Sequence, residues 1–145
     1  MFKRILTVCT GNICRSPAAE FLLRQGIDAR RGVEARSAGI GALVNFPADE
    51  TTCAMMQARG LDLAEHRASQ LTPELLRWAE LVLVMEPHHR DAVLAMDHTA
   101  RGKTFLLGHW TKTEIPDPFR RGDKAHAEAL RLIEEAVEPW LEKLA

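Results

Sequence analysis

The chain opens on a short apolar run, Ile5-Leu6-Thr7-Val8, followed closely by a polar Gly11-Asn12 pair. An apolar run of that length closed by turn residues predicts a buried strand. Ser16-Pro17, then Ala18, Ala19, Phe21, Leu22 and Leu23, predicts a helix with proline in its first turn. Val33 to Ala38 reads as a second strand, closed by Gly39 and Gly41, and the aperiodic stretch Ala42 to Pro47 reads as an exposed loop. A helix is expected from Ala48 to Arg59, stopped by Gly60. Thr72-Pro73-Glu74 combines a capping threonine with a proline at the first helical position and predicts a short helix through Trp78. Leu81 to Met85 is the third strand, Pro87 to Met96 a helix, and Lys103 to Leu107 the fourth strand. Asp123 is expected to cap a long final helix with Leu130, Ile133, Val137, Leu141 and Leu144 on one stripe. Pro139 is expected to kink or interrupt that helix near its end.

Strands alternating with helices predict an α/β fold: a three-layer arrangement with a four-stranded parallel sheet flanked by helices. In such sheets ligands sit at the carboxyl ends of the strands. Cys9 lies at the end of the first.

The length of 145 residues with 46% hydrophobic composition suits one domain over 1–145. Nineteen Lys+Arg balance twenty Asp+Glu, so no basic field exists to hold nucleic acid, and no segment is long and apolar enough for membrane insertion. The N-terminal apolar run is shorter than a signal peptide requires, so a cytoplasmic protein is expected. Three cysteines do not form a disulfide framework, which leaves thiol chemistry or burial to explain them. No tyrosine is present, which excludes regulation through phosphorylation of the chain's own tyrosines.

The chemistry concentrates in Cys9-Thr10-Gly11-Asn12-Ile13-Cys14-Arg15-Ser16. A loop of this span before a helix N-terminus can curl its backbone N–H groups around one tetrahedral oxyanion. A helix N-terminus and an arginine both stabilise a thiolate, so Cys9 is expected to be ionised at neutral pH. Arg15 offers a planar fork matched to two phosphoryl oxygens. Gly11 permits a positive backbone angle and close approach to phosphate, and Asn12 is among the few other residues that tolerate such an angle. Cys14 lies near enough to Cys9 in the chain for oxidation of the nucleophile to end in a reversible disulfide. Cys53 is expected in the core. No histidine or cysteine pair has metal-ligand spacing, so neither a metal nor another cofactor is expected.

Transfer of a phosphoryl group from an aryl ester also needs a proton donor for the leaving oxygen, and then a base to activate water. Asp117 stands between Pro116 and Pro118, which stiffen the loop that would present it.

The segment Val8 to Pro17 resembles the signature of the low-molecular-weight protein tyrosine phosphatases. The resemblance continues through Ser37-Ala38-Gly39, Ala48-Asp49, His66-Arg67-Ala68-Ser69-Gln70, Val84-Met85-Glu86 and Ile115-Pro116-Asp117-Pro118-Phe119. It implies Cys9 as nucleophile, Arg15 as the phosphate-binding cation and Asp117 as general acid. Thr10, Gly11, Asn12, Ile13, Cys14 and Ser16 are then the phosphate-loop residues, with Leu43 and Phe119 flanking the substrate ring. Ser16 would hydrogen-bond the Cys9 sulfur, and Ser37 and His66 would brace Asn12. His88, His89, His98, His109 and His126 read as ordinary surface histidines. The family usually has tyrosine where this chain has Phe119, which keeps an aromatic wall without its hydroxyl.

Gly41-Ala42-Leu43-Val44, Gly108-His109-Trp110 and Glu114-Ile115-Pro116 are similar to the bacterial subgroup associated with exopolysaccharide export. That likeness implies a phosphotyrosine protein as partner, the cytoplasmic tail of a membrane tyrosine autokinase. Two other readings of the loop stand against it. An arsenate reductase would need a further cysteine pair near the third strand, where Val82 to Asp91 has none. A phosphotyrosine-binding module without turnover would need neither thiolate nor proton donor.

Overall fold

A computed structural model of the protein describes residues 2–27 and 32–144. Four strands, β1 (Arg4–Cys9), β2 (Glu34–Gly39), β3 (Leu81–Val84) and β4 (Thr104–Leu106), form one parallel sheet in the order β2-β1-β3-β4. β1 is buried from Ile5 onward and β3 throughout, as the two central strands of a sheet covered on both faces must be.

The pleat divides their side chains between two cores. Ile5, Cys9, Leu81 and Leu83 pack with Leu23 of helix α1 (Arg15–Ile27) and with Ile133, Val137 and Trp140 of helix α5 (Asp123–Lys143). Leu6, Val8, Val82 and Val84 face the other way, onto Leu76 of helix α3 (Pro73–Trp78) and Val93 of helix α4 (Pro87–Met96). Each such side chain taken fully out of water contributes about 1.5–3 kcal/mol, enough to set the register of both central strands. Helix α2 (Glu50–Gln57) joins the α1/α5 side through Met56.

Several termini differ from the sequence reading. α2 begins at Glu50 because Asp49 is its cap, its Oδ2 accepting the Thr51 and Thr52 N–H groups at 3.1 and 3.2 Å. Thr72 caps α3 as expected, accepting the Leu75 N–H at 3.2 Å. The cap of α5 is Gly122, at φ 89°, and Asp123 is the first helical residue, where its charge still favours the helix N-terminus. Pro139 does not interrupt α5, which continues to Lys143. The last turns are held from outside: Trp140 and Leu144 are buried, and Trp140 Nε1 donates to the Leu107 carbonyl at 2.7 Å.

The register aligns Cys9 with Gly39 on β2, and Val8 with Val84 on β3. The carboxyl ends of the three strands therefore converge beside the loop that follows Cys9. A Cβ on Gly39 would stand 2.4 Å from the Thr10 carbonyl oxygen, so only glycine allows β2 to approach the loop this closely.

Candidate active site

The loop from Cys9 to Arg15 joins the end of β1 to the start of α1, and its own backbone carries the tightest bend. Asn12 sits at φ 61°, whereas Gly11 does not take a positive angle. The strained position is thus Asn12, which its side chain can afford because every polar atom is engaged. Oδ1 accepts the Ser69 N–H at 2.9 Å, fixing the amide so that Nδ2 donates to Ser37 Oγ at 2.9 Å and to Ser16 Oγ at 2.8 Å. His66 Nε2 meets the Asn12 carbonyl at 2.8 Å, and since a carbonyl only accepts, that nitrogen carries the proton.

The same logic orients the next hydroxyls. Ser37 Oγ accepts from Asn12 and donates to Glu20 Oε1 at 2.6 Å. Glu20 is buried and paired with Arg24 one turn along α1. Ser16 Oγ, accepting from Asn12, lies 2.9 Å from Cys9 Sγ and 3.5 Å from the Ala38 carbonyl, so the shorter contact can take its proton to the sulfur. A chain of directed bonds runs from the α1 surface to the thiol.

Arg15 is almost wholly buried, and its guanidinium is anchored on one edge. Nη1 donates to Glu86 Oε1 at 2.5 Å and to the Ile115 carbonyl at 2.8 Å. Nη2 lies 3.4 Å from Thr10 Oγ1 and 3.7 Å from Asp117 Oδ2. Asp117 is half exposed, and its Oδ1 accepts the Phe119 N–H at 3.0 Å, closing a small turn that presents the carboxyl to the arginine. The Ile115 N–H donates to the Met85 carbonyl at 3.0 Å, which attaches this loop to the end of β3.

Cys9, Thr10, Gly11, Ile13, Cys14, Arg15, Leu43, Asp117 and Phe119 all line one cleft of about 200 Å³, joined by Gly41. Asn12 and Ser16, grouped with them from the sequence, are fully buried, and their side chains lie in the network beneath the loop with Ser37 and His66. Leu43 is placed by backbone bonds: its N–H donates to Gly11 O at 3.1 Å, while Gln70 holds Ala42 N–H and Ile40 O through its two amide atoms. Phe119 packs on Ile13, Cys14 and Ala68. Burial and then the Asp49 carboxylate push the Cys14 thiol up to about 12, so at neutral pH it is a thiol. Cys14 and Cys9 are both unbonded to other sulfurs. Cys53, expected in the core, is only partly buried.

Glu86 and His89 are site residues that the sequence reading did not assign. The signal for Glu86 is its place just beyond the carboxyl end of a central strand. His89 is completely buried, not at the surface as expected. Its Nδ1 accepts the Glu86 N–H at 3.0 Å, so Nε2 bears the proton and donates to Thr10 Oγ1 at 2.9 Å. Burial, then the charge of Arg15, then His88 push this imidazole down from 6.5 to about 3. In an unfolded chain it would protonate near 6.5. Between those values the unfolded state binds the extra proton, so stability is complete above pH 6.5 and is lost as pH falls toward 3. The loss is on the order of 5 kcal/mol at most. Urea unfolding from pH 7 to 4 should therefore show a fall in stability that is smaller in His89→Gln, and equal slopes in both proteins would remove His89 as the cause.

The model of the low molecular weight phosphotyrosine protein phosphatase family matches residues 4–145 of the chain. The protein is 42% identical over 144 residues to the probable low molecular weight protein-tyrosine-phosphatase EpsP of Ralstonia nicotianae, covering 99% of this chain and 97% of that one. The tyrosine phosphatase Wzb from Escherichia coli K30, solved in complex with sulphate, shares 44% identity and superimposes with a TM-score of 0.94, with both chains covered completely. The YwlE arginine phosphatase from Geobacillus stearothermophilus shares 36% identity at a TM-score of 0.89, over 97% of this chain and 92% of that one. With its loop, sheet and length all accounted for by that match, the chain belongs to the low molecular weight phosphotyrosine protein phosphatase family.

Proposed function

We propose that the protein hydrolyses phosphotyrosine in two displacements at Cys9. The observation that carries this reading is one cleft lined by a thiol, an arginine and a carboxyl, Cys9, Arg15 and Asp117, with Asp117 Oδ2 3.7 Å from Arg15 Nη2. In the first displacement Sγ of the Cys9 thiolate attacks phosphorus, the bond to the tyrosyl oxygen breaks, and the protonated Asp117 carboxyl gives its proton to that oxygen. In the second, Asp117 takes a proton from water, the water oxygen attacks phosphorus, and the sulfur leaves as thiolate with the Ser16 hydroxyl donating to it. Arg15 stabilises the negative charge that builds on the phosphoryl oxygens. Glu86 keeps the guanidinium in place, so little reorganisation accompanies the reaction.

Leu43 and Phe119 on the cleft wall favour a flat ring, and the burial of Cys9 favours tyrosine over the shorter phosphoserine. The physiological substrate we infer is the phosphotyrosine-bearing cytoplasmic tail of a membrane tyrosine autokinase linked to exopolysaccharide production. Its support is the likeness to EpsP and Wzb. The likeness to an arginine phosphatase makes phosphoarginine the substrate to compare. Matched peptides carrying phosphotyrosine, phosphoserine or phosphoarginine should be hydrolysed with kcat/KM at least about 100-fold higher for phosphotyrosine, a difference of about 2.7 kcal/mol in the barrier. Acid-quenched enzyme should carry phosphate on Cys9. Faster turnover of phosphoarginine, or no covalent phosphate, would overturn the reading.

A further inference from the structure

Cys14 borders two spaces: the catalytic cleft, and a small, partly open cavity of about 10 Å³ lined by residues of α1, α2 and α5 together with Pro118. That volume holds about one water-sized sphere. Cys14 and His126 line it, and beside it three donor atoms converge from three separate elements. They are the Cys14 thiol, the carboxylate of Asp49 at the cap of α2, and the imidazole of His126 on the first turn of α5; they all lie within 4.8 Å of one another. His126 is only 6% exposed, yet among the described residues the polar neighbour of its ring is Asp49 Oδ2 at 3.7 Å, beyond hydrogen-bond range. The ring thus faces the carboxylate without a hydrogen bond to it.

We propose that Cys14, Asp49 and His126 form a binding site for a divalent transition-metal ion of the zinc type. Thiolate, imidazole and carboxylate are the donors zinc takes in tetrahedral sites. Nitrogen and oxygen ligands at zinc bond lengths stand about 3.4 Å apart across a tetrahedral edge, and the observed 3.7 Å needs only a small contraction. On binding, Cys14 releases its thiol proton to solvent, so thiolate and carboxylate together neutralise the ion. Asp49 is already oriented by the Thr51 and Thr52 N–H groups, the kind of outer support metal ligands have. The cation of Arg15 does not compete, because its guanidinium is directed to Glu86 and Ile115. A second cluster, Glu86, His88 and His89, lacks these properties, since Glu86 anchors Arg15 and both His89 nitrogens are bonded. The ion would tie the phosphate loop to α2 and α5 from behind.

Cobalt(II) titration tests this, because a cobalt–thiolate bond absorbs in the near ultraviolet. Cys9→Ser is the background, so that the nucleophile cannot supply the thiolate. One equivalent of cobalt should produce the band in Cys9→Ser; adding Cys14→Ser should abolish it, and adding His126→Phe should weaken binding at least tenfold. Zinc should also raise the melting temperature of wild type and not of His126→Phe, whose basal phosphatase activity should stay unchanged. Absence of the band in Cys9→Ser, or its persistence with unchanged affinity after either further substitution, would overturn the proposal. The Cys14→Ser arm also separates this site from Cys53.

Discussion

Cys9→Ser is expected to lower kcat on p-nitrophenyl phosphate by at least about 10⁴-fold, or roughly 5.5 kcal/mol, while leaving the affinity for a phosphotyrosine peptide within about tenfold. The thiol is the atom that bonds to phosphorus, and a serine hydroxyl at neutral pH is a far weaker nucleophile. Everything that recognises phosphate stays in place, because the loop is held from beneath by Asn12, Ser37, His66 and Ser69 and not by the sulfur. Circular dichroism and phosphopeptide binding together distinguish lost chemistry from lost folding. A variant that keeps its rate would rule out Cys9 as nucleophile.

Asp117→Ala is expected to reduce turnover of a phosphotyrosine peptide by about 10² to 10⁴-fold, the usual range for a positioned proton donor. Its effect on binding should be much smaller. The dependence on the leaving group is the sharper test, since nitrophenolate departs without help and tyrosinate does not. The defect should therefore shrink on p-nitrophenyl phosphate. Asp117 is half exposed, and its ion pair with Arg15 is long at 3.7 Å, so the substitution should cost little stability. Equal defects on both substrates would point to a binding role through Arg15, and an unchanged rate on phosphotyrosine would take Asp117 out of the reaction.

Much of this arrangement is legible from the chain because it depends on neighbours in sequence. Cys9 at a strand end, Asn12 in a turn and a proline opening α1 are local features, and all three stand where the pattern puts them. Glycine at position 11 shows the limit of local reasoning: two residues in the loop can accept a positive angle, and packing chose Asn12 because its amide has three partners to satisfy. Pro139 shows the same from the other side, since α5 tolerates it where Trp140 is anchored to the end of β4.

The residues missed were those whose surroundings come from distant segments. Glu86 acquires its role 71 positions from Arg15, and His89 is buried only because α4 begins beside Thr10. His126 and Asp49 are far apart in the chain and meet only when α5 crosses the cap of α2. The order of hydrophobic and polar residues, with Cys9, Arg15 and Asp117 at their places in it, was enough to identify an α/β phosphate-binding protein of this family. A parallel sheet brings its carboxyl ends together through long crossovers, and no short-range pattern records which side chains then face one another. Which carboxylate holds the arginine, which imidazole stays neutral and what lies behind the second cysteine were therefore decided by tertiary packing alone.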